Sequence, residues 1–155
     1  MFDFEDLLKY YHLNYQIYKH LRVLSYEDAE VAKRQANFDG TETKTLLLQD
    51  KRKHYYMVFT LARRRVSFPQ LRELAGKQLT FVSEDKVEKV SGCIPGCLCP
   101  FGYPDEDTLI IDNAVFKTEG ILFSKREPTQ TIKIDGSELE KAVKHLPNQV
   151  IKANL

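Results

Sequence analysis

Eleven consecutive residues, Gly92 to Gly102 (GCIPGCLCPFG), hold three glycines, two prolines and every cysteine of the chain. Thiolates at Cys93, Cys97 and Cys99 could ligate zinc, but the spacing C-x3-C-x-C supplies half of the paired-knuckle pattern of structural zinc sites. A fourth ligand would have to come from His12, His20, His54 or His145. An odd number of cysteines without a secretion signal argues against a disulfide framework, and no His or Asp lies at a spacing that would activate a thiol as nucleophile. The plain reading of the three is small reduced side chains packed in a turn. The backbone remains. Gly92, Gly96 and Gly102 allow left-handed or closely approached main chain, while Pro95, Pro100 and Pro104 stiffen the stretch between them. Such a loop can aim amide N–H groups at an anion or a carbonyl oxygen, or it can be a plain connection.

The elements that must position this loop are legible in part. Asp3 to Tyr11 carries apolar residues at helical spacing, and Ser25-Tyr26-Glu27-Asp28 opens a helix that runs to about Ala36. Between them, Tyr15 to Arg22 alternates as a strand. Thr45 to Asp50 and Tyr55 to Leu61 read as a hairpin across the charged turn Lys51 to His54. Ser67-Phe68-Pro69 starts a helix that Gly76 ends, Leu79 to Val82 is a short strand, and Ser83 starts a helix that stops near Gly92. The loop therefore follows a helix C-terminus. Thr108 to Asp112, Gly120 to Ser124 and Gln130 to Ile134 are strands, and Ser137 to Leu146 is a closing helix broken by Pro147. Strands and helices alternate without regular βαβ spacing. The expected fold is thus α/β of the α+β type, a mixed, barrel-like sheet surrounded by helices, in a single domain over residues 1–155.

Composition narrows the function classes. The 155 residues, 43% hydrophobic, can bury one sizeable core. Basic and acidic residues nearly cancel, 23 against 22, so no overall field draws the chain to DNA or to an anionic membrane. A polyanion would have to be gripped locally. The opening MFDFEDLLKYYHLNY has no basic and apolar targeting pattern, and no stretch reaches the roughly 18 apolar residues of a membrane span, so a cytoplasmic location is expected.

The order of the motifs adds more. KTLLLQDK from Lys44, then YYMVFTLARRRVSFPQLRELAG, LTFVSEDKVEKVSGCIPGCLCPFG and ILFSKREPTQTIKI, together resemble the YbaK/prolyl-tRNA synthetase-associated editing domain family, from about Leu13 to Leu146. The resemblance implies an aminoacyl-tRNA deacylase that hydrolyses mischarged tRNA in trans, gripping its acceptor 3′ end, with water as nucleophile and no metal or other cofactor. Alanyl-tRNA(Pro) is the substrate expected first. Cysteinyl-tRNA(Pro), or a tRNA-binding module without catalysis, are the alternatives, and prolyl-tRNA synthetase is a possible partner.

Site residues follow from the same resemblance. Lys44 would contact the terminal adenosine or the ester. Thr45 stands where alanyl-specific members often have Asn, keeping a hydroxyl and losing an amide. The element Gly96-Cys97-Leu98-Cys99-Pro100, continuing through Phe101 and Gly102, would offer its main chain to the ester and stabilise charge on the carbonyl oxygen. Ser124 stands where many members carry His; it can donate a hydrogen bond, and the substrate's ribose 2′-hydroxyl can assist the attack. Val23, Leu24 and the strand Tyr55 to Leu61 would surround the amino-acid side chain. Lys51, Arg52, Lys53, Arg63, Arg64 and Arg65 are the candidate contacts to tRNA.

Overall fold

A computed structural model describes all residues, 1–155. Side-chain caps start most of its helices, because the first amide groups of a helix have no partner within it. Asp3 accepts from Glu5 N–H at 2.9 Å to open α1 (Phe4–Tyr10). Ser25 Oγ accepts from Asp28 N–H while the Asp28 carboxylate accepts from Leu24 N–H, both at 3.1 Å, a reciprocal pair that opens α2 (Tyr26–Gln35). Ser67 and Pro69 open α3 (Phe68–Ala75), which Gly76 closes in the left-handed conformation at φ 69°. Gly92 closes α4 (Glu84–Ser91) likewise, at φ 73°. Two short features escape the sequence reading. Asp112 caps a single turn, α5 (Asn113–Phe116), and a final strand follows Pro147. The closing helix, α6 (Gly136–Val143), starts one residue earlier and ends three residues earlier than expected.

The strands are β1 (Gln16–Lys19), β2 (Thr41–Gln49), β3 (Tyr55–Leu61), β4 (Thr80–Phe81), β5 (Thr108–Asp112), β6 (Ile121–Ser124), β7 (Gln130–Ile134) and β8 (Val150–Ala153). They form one mixed sheet in the order β1-β7-β6-β2-β3-β5-β8, with β4 added to β2, and the helices pack around it. The β2–β3 hairpin is as expected, Gln49 facing Tyr55 and Thr43 facing Leu61. Strand β2, however, begins four residues before the expected Thr45. Its polar start, Thr41-Glu42, pairs in parallel with Ile121-Leu122 of β6, a contact with a segment some 80 residues away that local hydrophobicity does not announce.

That pairing opens the site. On the side away from β3, the first residues of β2 join β6, whereas its last, Leu48 and Gln49, join β4. Between those two contacts the middle of β2, from Lys44 onward, has no ladder partner on that side. The sheet is split there, and the gap is the site described below.

Alternation along the central strands fills both faces. Met57 and Phe59 of β3, with Leu109 and Ile111 of β5, enter the larger core under α1 and α6; Tyr56, Val58 and Ile110 enter a smaller one under α3. Phe101 and Phe123 meet Phe59 edge-on at 5.4 and 5.6 Å between ring centres, and Phe4 of α1 stacks on Phe101 at 4.4 Å. The loop after α4 is thereby fixed to the core by its own aromatic residue. No helix of the chain is long and apolar enough to cross a membrane.

Candidate active site

The split in the sheet opens into a cavity of about 630 Å³. Residues 42–45 of β2 form one wall and Leu122 to Ser124 of β6 another. Val23 to Tyr26 with Ala29 and Ala32 of α2 form a third, and Gly96 to Leu98 close it. Eight of the residues expected in a site are thus brought together: Lys44, Thr45, Val23, Leu24, Gly96, Cys97, Leu98 and Ser124.

Lys44 is half-buried, and its ammonium donates to the main-chain carbonyl of Arg64 in the turn after β3. One of three N–H donors is used, leaving two for a substrate oxygen. The turn is itself anchored. Arg64 Nε lies 3.1 Å from the carboxylate of Asp112, which is buried and also accepts from Thr60 Oγ at 2.7 Å.

On the opposite wall the loop turns tightly. Cys97 N–H donates to Ile94 carbonyl at 2.9 Å, while the amides of Gly96 and Leu98 donate to no group of the protein. Two unengaged N–H groups on residues lining the cavity are what an oxyanion requires. Position 96 must be glycine for two reasons. Its φ is +88°, and a Cβ there would stand 2.3 Å from the carbonyl oxygen of Leu24. That close approach is how the loop and the Val23-Leu24 segment come to share one cavity.

The rest of the expected loop residues lie behind the cavity. Cys99, Phe101 and Gly102 are buried on its far side with Pro100; Cys99 Sγ contacts Phe101 carbonyl at 3.3 Å, and Gly102 carbonyl accepts from Phe2 N–H at 3.0 Å. They support the loop rather than face the cavity. Arg126, in the left-handed conformation at φ 71°, ties the loop's two ends together. Its guanidinium donates to Ser91 carbonyl at 3.0 Å and Phe101 carbonyl at 3.1 Å, and lies over the Tyr103 ring.

The three thiols have separate partners: Cys93 faces Tyr103 Oη at 3.7 Å, Cys97 faces Ser124 Oγ at 2.9 Å, and Cys99 faces the Phe101 carbonyl. Burial pushes the Cys97 thiol up from its ordinary pKa, against a smaller opposing effect of the Ser124 contact, and pushes Cys99 up to about 12. Both are therefore protonated at neutral pH, and either the Cys97 thiol or the Ser124 hydroxyl can donate in the contact between them. Ser124 ends β6, paired with Thr131 of β7 and lying beyond the two residues of β6 that pair with β2, so its other side is open to the gap.

Two expectations are corrected. No residue of Tyr55 to Leu61 lines the cavity: β3 is central in the sheet, so both its faces are committed to the two cores, and Ala29 and Ala32 of α2 and Leu122 of β6 supply the apolar wall instead. Of the basic candidates, Arg63 lines the cavity and Arg64 and Arg65 are exposed beside it, whereas Lys51 to Lys53 occupy the turn at the other end of the hairpin. Lys44 and Gln49 alone are separated by about 17 Å of strand. The structure also brings in polar residues that the sequence reading missed. His20 lies beside β7, its Nδ1 2.6 Å from Leu21 carbonyl and its Nε2 2.7 Å from Thr131 Oγ, and Glu42 precedes Lys44 by two residues on β2. The i, i+2 spacing of Glu42 and Lys44 in a strand was a usable signal for a shared face.

A half-buried lysine and unengaged loop amides lining one apolar-walled cavity can hold an ester and stabilise charge on its carbonyl oxygen. Residues 25–142 match the model of the aminoacyl-tRNA editing domain family, and the chain belongs to that family. It is an aminoacyl-tRNA deacylase. Among curated proteins it is similar to the prolyl-tRNA editing protein ProX of Acetoanaerobium sticklandii, 25% identical over 140 residues, which cover 85% of this chain and 83% of that protein. Its fold is shared with a crystal structure of a hypothetical protein (TM-score 0.79, 18% identity, covering 97% of this chain and 98% of that one). It is also shared with that of a candidate trans-editing enzyme for prolyl-tRNA synthetase (TM-score 0.71, 14% identity, covering 97% and 94%).

Proposed function

We propose that the protein acts in trans on tRNA misacylated by prolyl-tRNA synthetase, with alanyl-tRNA(Pro) as substrate, hydrolysing the aminoacyl ester by attack of water. The observation that carries this reading is that Lys44 and two residues whose amides make no hydrogen bond within the protein, Gly96 and Leu98, line one cavity. The amides receive the carbonyl oxygen as it becomes negative, and the two remaining Lys44 donors hold the ester or the terminal adenosine. Ser124 positions water or the ribose, whose 2′-hydroxyl can assist the attack. Cys97 and Cys99 take no part as nucleophiles, since burial keeps them protonated.

Ala29, Ala32, Val23 and Leu24 offer a small apolar wall to the amino-acid side chain. Such a wall excludes bulk but separates alanine from cysteine poorly, because one added group is worth only about 1 to 3 kcal/mol. Arg63, Arg64 and Arg65 beside the cavity suit the phosphates of the acceptor end, and binding should weaken steeply with salt. The test is deacylation of alanyl-tRNA(Pro) and cysteinyl-tRNA(Pro) by wild type and Lys44→Ala. Rapid loss of the alanyl ester that the variant abolishes is expected. Preferential loss of the cysteinyl ester would reassign the substrate, and tRNA binding without turnover of either would make the protein a binding module.

A further inference from the structure

Glu42 is unexplained by the function so far. Its side chain is 19% exposed and lines the cavity, two residues before Lys44 on β2. Its nearest cation, the Lys33 ammonium of α2, stands 3.6 Å away, longer than a hydrogen bond, while the same ammonium contacts Glu30 at 2.8 Å. Lys33 is thus shared between two carboxylates and committed more closely to Glu30. Burial raises the Glu42 carboxyl above its ordinary pKa, Lys33 opposes that shift, and Glu30 adds to it. A half-enclosed carboxylate of this kind is under-compensated, and a cation delivered from the cavity side would complete it.

The proposed substrate carries such a cation. An aminoacyl ester differs from other esters by the α-ammonium on the carbon next to its carbonyl. Residues i and i+2 of a strand lie about 7 Å apart on one face. That span accommodates one aminoacyl group with its carbonyl end toward Lys44 and its ammonium toward Glu42, allowing a contact of about 2.9 Å at each end. Ala29 and Ala32 then lie on the same α2 wall as Lys33, where the side chain on the α-carbon would point. Glu127 also lines the cavity but is exposed at its rim, where water screens its charge.

We infer that Glu42 binds the α-ammonium of the aminoacyl ester and so makes the site selective for esters of free amino acids. This rests on the deacylase reading of the same cavity. A charge-assisted hydrogen bond of this kind should give roughly a 10- to 100-fold preference for a charged over an uncharged substrate.

The probe is lactyl-tRNA(Pro), made by deaminating the alanyl ester, in which a hydroxyl replaces the ammonium with no added bulk. Wild type should hydrolyse alanyl-tRNA(Pro) at least tenfold better in kcat/KM than lactyl-tRNA(Pro), after each is corrected for its rate of spontaneous hydrolysis. Glu42→Gln should lose most of that preference, through KM for the alanyl ester and with little change for the lactyl ester; Glu42→Asp should keep part of it. Wild type turning over both esters equally overturns the inference without any variant, and so does a preference that survives Glu42→Gln. Wild type turning over neither overturns the deacylase reading itself.

Discussion

Replacing Gly96 with alanine tests whether the loop backbone is the reactive surface. The new Cβ would lie 2.3 Å from the Leu24 carbonyl oxygen. Restoring a tolerable contact of about 3.0 Å moves the loop and the Val23-Leu24 segment apart by about 0.7 Å, and displacement near 1 Å costs on the order of 10²-fold in rate. Losing alignment of one oxyanion donor is worth about 10² to 10³ in kcat, so a fall of roughly 10²-fold is expected. The substitution also places alanine at φ +88°, a strain of about 1 to 2 kcal/mol, which lowers Tm by about 3 to 8 °C in a chain of this size. Gly76 separates the two effects. It has φ +69° at the end of α3, with nothing within 4 Å of a Cβ. Gly76→Ala should therefore show a comparable loss of Tm and unchanged deacylation. Both variants are assayed at 25 °C, with folding checked by circular dichroism. A folded Gly96→Ala enzyme within about threefold of wild type in kcat would refute the assignment of the loop backbone to the reaction.

Arg126→Ala should leave the carbonyls of Ser91 and Phe101 with only weak thiol donors, from Cys93 and Cys99, and lower stability by about 2 kcal/mol in thermal denaturation. Arg126→Lys should restore part of the stability but not the rate, because one ammonium cannot reproduce the guanidinium fork that joins both ends of the loop. Cys97→Ala should retain deacylation within about threefold and be no more sensitive to thiol reagents than wild type; loss of turnover beyond 10²-fold would make the thiol a nucleophile after all. Asp107 is buried, and burial, with a smaller contribution from Glu106, pushes its carboxyl up to about 6. The folded state therefore holds this proton more tightly than the unfolded chain, and stability is lost as pH rises from about 4 through 6. Asp107→Asn should be more stable than wild type at pH 7, by about 1 to 2 kcal/mol, with the difference vanishing below about pH 4; no gain at pH 7 would refute the burial argument.

Residues with strong local signals are where sequence and structure agree. Tyr55–Leu61, Thr108–Asp112 and Gln130–Ile134 are runs of β-branched, aromatic and aliphatic residues, and the structure keeps their bounds; Ser25 and Ser67 start helices as their hydroxyls allow. What escapes is decided by distant partners. Thr41 and Glu42 are strand because β6 runs beside them, and Val150–Ala153 is strand because β5 offers an edge. The site divides in the same way. Family motif order pointed to Lys44, Gly96 and Ser124, which all line the cavity, but contiguity in a loop does not say which side chains face it. Cys97 meets Ser124 while Phe101, four residues on, is drawn into the aromatic core by its own apolar ring. Glu42 carried no motif, and its meaning depends on Lys33 and on the gap beside β2.

That gap also explains why both walls of the cavity are held by arginine. Where β2 has lost its neighbour on one side, no sheet ladder fixes the turns that border the cavity. On one side Arg64 supplies the carbonyl that holds Lys44, with its guanidinium on Asp112 and on Leu155 carbonyl at 3.1 Å. On the other, Arg126 holds the carbonyls at the two ends of the loop that presents Gly96. A guanidinium suits this task because it presents several donors in one rigid plane and can join segments that are not adjacent in sequence. The preorganisation that a ladder would impose on a strand is thus imposed on two turns by side chains. The donors that line the cavity can then keep fixed positions while the space between them stays open.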